Sequence, residues 1–352
     1  MAERRPVSRS TSRSPARPIR QRDTLPGRGP YGRSSRHGPS VKWSRIVLLL
    51  LVVTGLLTLI TWRVAVYRET PRQNPASATP PTLPTRSVDP REHLWMGRPL
   101  ARTAPRDFAD RTYLFGSSKN NAYRVHHGSD MVNPTGTPVQ AAADGVVVFA
   151  GQDSGTRLGP STIPNFYGNV VIVKLNRQYR GQDVYYLNGH LSEILVREGQ
   201  QVKEGDSIGK IGMTGTADGP HLHFEVRVGQ NTYANSHNAA LWMHPLPATG
   251  VLVGRILDKA GRPIAGVAVT LFKDLTPSDV QKYWGDLYTY FDDPLGKVNS
   301  DDDWQENFAV TDLPVGRYEA RVNIAGQTYL RRLTIADGQT TWLEVQEGST
   351  VQ

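Results

Sequence analysis

The chain has 352 residues, 38% of them hydrophobic, and 25 prolines, which allows two domains plus long stretches that bury little. The formal charge of +9 is concentrated at one end: residues 1–45 hold twelve Lys or Arg against Glu3 and Asp23, a net of +10, so the remainder carries −1. That excludes a basic nucleic-acid-binding domain. The lack of cysteine excludes disulfides, a lipoprotein anchor and thiolate zinc, but not a metal held by His and carboxylates.

Residues 1–45 are rich in Arg, Ser and Pro and predict a disordered tail. Ile46 to Trp62 follow without a charge, and seventeen residues at helical rise span roughly 25 Å, near the minimum for a hydrocarbon core. Trp43 and Trp62 bracket the run as interfacial anchors. A cleaved signal peptide is the rival, but the leader is long and no small-x-small site follows cleanly. A single transmembrane helix over 46–62 is expected, its N-terminus cytoplasmic because of the preceding Lys/Arg excess, its C-terminal part outside a bacterial cytoplasmic membrane. Residues 63–106 read as a Pro-rich extracytoplasmic stem, with six prolines between 70 and 90, and ordered sequence is expected from about Asp107.

From 107 to 248 the pattern is mainly β: "TPVQAAADGVVVFAG", "GNVVIVKLN", "DVYYLNGHL", "QQVKEGDSIGKIGMTG" and "HLHFEVRVG" are short strands between Gly turns, an antiparallel sheet of barrel-sandwich type. Residues 152–166 are Gly/Ser/Pro-rich and read as a loop. A second unit over 249–346, with strands on either side of a Lys259–Pro263 turn and more from Phe308 to Val345, suggests a small β-sandwich. Residues 274–307 stay open between a helix capped at Thr276 and an aromatic-rich strand.

Histidines gather in the first β unit. "HHGSD" pairs His126 with Asp130, and Gly128, Pro134 and Gly136 favour a tight turn over a helix there. In "HLHFEVR" strand alternation puts His221, His223 and Glu225 on one face and Leu222, Phe224 and Val226 on the other. His126, Asp130 and a histidine of this pair would leave a fourth tetrahedral position open, as at catalytic zinc. His190, in "NGHLS", is free for proton work.

"HHGSD", "NGHLS" and "GPHLHFEVR", in this order, resemble the M23 zinc endopeptidases of lysostaphin and LytM type, which cut peptides of bacterial cell walls. The resemblance runs from about Tyr123 to Gly229. It implies one Zn²⁺ held by His126, Asp130 and His223, catalytic histidines at His190 and His221, and hydrolysis of peptidoglycan stem peptides or cross-bridges. Some family members lack part of this set and act as non-catalytic activators; here all five are present. A peptidoglycan-binding module that regulates another hydrolase is the alternative, and a structural wall anchor a third reading. Asn188 stands where a Tyr commonly precedes the Gly-His pair, and loop 152–166 is long. The C-terminal unit resembles carboxypeptidase-regulatory-like (transthyretin-like) sandwiches, which are accessory modules, so its protein partners stay open.

Other polar residues have plainer readings. His127 is a bystander, and Glu225 an outer-shell or surface carboxylate. His237 and His244 are surface or packing residues, and His93 belongs to the stem. "VKEGDSIG" resembles biotinyl and lipoyl hairpins in architecture only, since no lysine sits at a carrier tip. The cluster Asp292, Asp293, Asp301, Asp302, Asp303 lacks the spacing of a Ca²⁺ loop and reads as a solvated loop.

Overall fold

A computed structural model describes residues 89–352 except 120, 156–157, 274–281 and 350–352. The tail, the apolar run 46–62, the stem up to residue 88 and Thr276 lie outside the described residues. Among the described residues no helix is long and apolar enough to cross a membrane.

The β-branched runs form strands where the alternation places them. A nine-stranded antiparallel sheet has β1 (Ser129–Val132), β8 (His221–Val228), β5 (Gln182–Ile194), β4 (Asn169–Tyr179), β3 (Gly145–Gln152) and β6 (Gln201–Val202) in that order. β7 (Ser207–Ile211) pairs with β5 and with β2 (Pro138–Gln140), and β9 (Ser236–His237) pairs with β8. One face of β8 drives Leu222, Phe224 and Val226 into the main core with no exposed surface. Burial of each such side chain contributes about 1.5–3 kcal/mol, which holds the register that aims the other face. Leu158 and Tyr167, from the segment between β3 and β4, join Val170, Ile172, Leu187 and Tyr233 in a smaller cluster.

The C-terminal part has two sheets. β10 (Thr249–Leu257) lies between β13 (Phe308–Pro314) and β16 (Thr340–Gln346); β11 (Ala268–Lys273), β12 (Lys282–Tyr288), β14 (Gly316–Ile324) and β15 (Gln327–Ile335) make the other. Residues of both sheets share a second core. Within the open stretch 274–307, the strand reading holds for 282–288. β10 and β16 run parallel, whereas β10 and β13 run antiparallel.

The described residues fall in one compact unit. The main core takes in Val251, Val253, Trp304 and Ala309 from the C-terminal part. Order also begins before Asp107: Leu94, Met96 and Leu100 are buried, Met96 bridges to Met243, and Leu100 pairs with Val139. The prolines up to Pro90 masked this apolar, sheet-edge segment in the sequence.

Candidate metal centre

The site grows from β1 and its pairing with β8. His126 lies in the extended segment that leads through a bend at Gly128 into β1, and the register sets Asp130 opposite His223 and Val132 opposite His221. Gly128 is required at the crossing: a Cβ there would lie 2.7 Å from the His223 ring and 2.8 Å from Phe224 O. Asp130 Oδ1, His126 Nε2 and His223 Nδ1 lie 2.8–3.3 Å apart.

Backbone carbonyls can only accept hydrogen bonds, and this fixes the histidine tautomers. His126 Nδ1 donates to Tyr113 O, His190 Nδ1 to Thr214 O and His221 Nδ1 to Gly219 O, each at 2.8 Å. These three therefore present Nε2 as an acceptor. His223 is reversed, its Nε2 donating to Glu225 Oε1 at 3.0 Å and its Nδ1 turned to Asp130. Two imidazole lone pairs then face each other at 3.3 Å beside a carboxylate, an arrangement that only a positive charge between them relieves. Two neutral imidazoles and one carboxylate fit zinc, and the donor set opens on one side to a cleft of about 530 Å³.

His190 and His221 flank that opening, their rings 4.7 Å apart, with His190 5.6 Å from His223. His190 sits at φ 61°, left-handed backbone that is costly for a residue with a Cβ. Burial, followed by the neighbouring His223 and His221, pushes its imidazole down to about 3, so it is neutral at pH 7. Burial disfavours a charged Asp130, but His126 and His223 outweigh it and hold the carboxyl well below its usual range. Burial also opposes a charge on His223, yet Asp130 and Glu225 raise it to about 9; a bound cation would take that proton's place.

Tyr113 was not singled out from sequence, and other residues take more definite places than their sequence readings assigned. Tyr113 stacks flat on His126 at 4.1 Å and 3°. Glu225 is fully buried behind His223, the outer-shell rather than the surface carboxylate; it accepts from Tyr167 Oη at 2.5 Å and from Arg227 Nε at 2.9 Å. Burial works against its ionisation, and Arg227 overrides this to bring it to about 2. Asn188 is fully buried, and Tyr167 fills the space beside Gly189. His127 takes no part in the donor set: it bonds Ser236 Oγ and Asp293 Oδ2 and stacks on Tyr233, tying the C-terminal part to the wall of the cleft. The acidic cluster is divided. Asp292 and Asp302 are exposed, but Asp301 and the Asp293 side chain are buried against histidines, which corrects the solvated-loop reading.

Comparison with known proteins points the same way. A DD-carboxypeptidase/endopeptidase Mpg of Neisseria meningitidis is 40% identical over 108 residues, 31% of this chain and 21% of that protein. The peptidoglycan DD-endopeptidase ShyA of Vibrio cholerae is 43% identical over 103 residues, 29% of this chain and 20% of its own length. A lipoprotein NlpD/LppB homolog of Pseudomonas aeruginosa is 46% identical over 114 residues, 32% of this chain and 33% of its own length. The chain thus spans between a fifth and a third of the relatives it matches. The model of peptidase family M23 matches residues 124–236, which contain every member of the donor set and both flanking histidines. Residues 124–236 are a peptidase M23 domain.

Proposed function

We propose that the protein is a membrane-anchored zinc metalloendopeptidase that hydrolyses peptide bonds of peptidoglycan stem peptides or cross-bridges. The observation that carries this is the convergence of His126, Asp130 and His223 on one point at the base of an open cleft, with His190 and His221 at its mouth. The similarity to peptidoglycan endopeptidases supports the substrate class. The charge-free run 46–62 behind a basic tail supports anchoring in a bacterial cytoplasmic membrane, with the cleft on the outer side.

His126 Nε2, His223 Nδ1 and Asp130 Oδ1 would hold the ion. The chemistry a bound zinc supplies is Lewis acidity towards a water and a peptide carbonyl. Glu225 fixes the His223 tautomer from behind, and Arg227 and Tyr167 fix Glu225. His221 is less buried than His190, and its Nε2 is 3.6 Å from Asp130 Oδ1. It is the imidazole placed to take the proton of the attacking water and return it to the leaving amine. His190 stays neutral and orients the water by accepting a hydrogen bond at Nε2. Tyr113, Tyr123, Phe166 and Tyr233 line the cleft and exclude bulk solvent around an extended peptide.

The test is digestion of purified peptidoglycan by the full chain in detergent, with products identified by mass spectrometry. Zinc-dependent cleavage that His223→Ala abolishes is expected. A chain that binds zinc and peptidoglycan but releases no fragments would sink the catalytic reading in favour of a binding module. A chain that binds no zinc would sink both the metal assignment and the mechanism.

A further inference from the structure

A second group of donors lies where residues 89–93 meet the end of β4 and the turn at 301–304. His93 and Asp301 are 3% and 1% exposed. His93 Nδ1 donates to Arg91 O at 2.8 Å, so Nε2 is the free ring nitrogen. Nε2 points at Asp301 Oδ2 from 3.1 Å, yet neither atom makes a hydrogen bond to any group. The ring is wedged against Trp242 and Tyr179, with centroids at 4.4 and 4.9 Å. Asp301 Oδ1 is committed elsewhere, accepting from the backbone N–H of Asp303 and Trp304 and from Tyr179 Oη. Asp303, partly exposed, adds a third donor within ligand reach of the other two.

A desolvated nitrogen and a desolvated carboxylate oxygen at this distance need positive charge between them. A proton could bridge the two alone, but Asp303 brings a third donor within ligand reach of both, which a proton does not require. The spacing is instead that of two ligands of one ion, as between the donors of the M23 centre. We propose that His93, Asp301 and Asp303 form a second divalent-cation site, of the Zn²⁺ or Mn²⁺ class that accepts mixed imidazole and carboxylate ligands. The ion staples the segment that follows the stem to the C-terminal part. It lies outside the cleft, and binding to it is independent of hydrolysis.

The full chain in detergent carrying His126→Ala and His223→Ala removes the first centre. After dialysis against chelator, Zn²⁺ or Mn²⁺ is added alone, bound metal per chain is counted by mass spectrometry, and thermal unfolding is followed. One ion per chain and a raised melting temperature are expected. Asp303→Asn in that background should weaken binding at least tenfold, and His93→Gln should abolish it. Asp303 is exposed enough for its variant to fold even where the His93 variant does not. An absence of bound metal with no thermal shift overturns the proposal and leaves a proton-bridged pair. An ion held as tightly after Asp303→Asn overturns it as well. Because the first centre is deleted, neither result bears on whether the M23 centre is active.

Discussion

Replacing Glu225 by Gln tests whether the buried network behind His223 sets the metal centre. Gln keeps an oxygen for the His223 N–H but removes the charge facing Arg227, whose guanidinium is wholly buried and 2.8 Å from the carboxylate. Removing one partner of a buried ion pair costs about 3–5 kcal/mol, because the remaining charge has no solvent to turn to. Arg227 keeps Leu158 O, Asn231 Oδ1 and Tyr167 Oη as acceptors, which places the expected loss at the lower end. At about 2–4 °C per kcal/mol, 3 kcal/mol lowers the melting temperature by roughly 6–12 °C. Loss of an outer partner of a metal-bound histidine further weakens zinc by about 10–100-fold. Calorimetry and a zinc competition titration with a chromophoric chelator read the two effects separately, with exposed Glu198→Gln as a control expected within about 0.5 kcal/mol of wild type. The reasoning fails if Glu225→Gln melts and binds zinc as the wild type does.

Three further outcomes are expected. Gly128→Ala drives a methyl against the His223 ring and Phe224 O, costing about 1–3 kcal/mol of stability and displacing a ligand; wild-type zinc affinity in this variant would refute the crossing described. Chelation should abolish peptidoglycan cleavage and added Zn²⁺ restore it, while activity that survives exhaustive chelation would contradict the metal reading. Burial holds the folded His190 imidazole down at about 3 against the ordinary 6.5, so the unfolded chain binds the proton first. The stability this contributes is complete above pH 6.5 and is lost as pH falls towards 3. In metal-free protein, urea unfolding between pH 7 and 5.5 should cost wild type about 1 kcal/mol more than His190→Asn, a residue that tolerates the same backbone. Equal pH slopes would refute it.

The site's inner geometry was legible because strand alternation is strict. Period two aims His221, His223 and Glu225 to one side while Leu222 and Phe224 anchor the other; the turn expected in "HHGSD" is instead an extended approach that bends at Gly128 into β1. What the sequence hid depends on tertiary partners. Glu225 looks alike whether solvated or buried until Tyr167 and Arg227 are seen to close on it. Tyr113 carries no motif and matters through contacts the fold makes, stacking on His126 and taking its Nδ1–H on the backbone carbonyl. Residues 89–106 were hidden by composition: their proline-rich approach resembles a spacer, while Leu94, Met96 and Leu100 fill a core whose other wall lies over 140 residues away.

The stretch that carries the family signature and the stretch that folds are different lengths of chain. The signature ends at residue 236, but the core beneath β8 is completed by Val251, Val253, Trp304 and Ala309. A protease that cut between the two parts would free no self-sufficient M23 fragment. It would bare an apolar wall and leave His127 without Asp293. The C-terminal sheets and the strands that carry the cleft are therefore one folding unit.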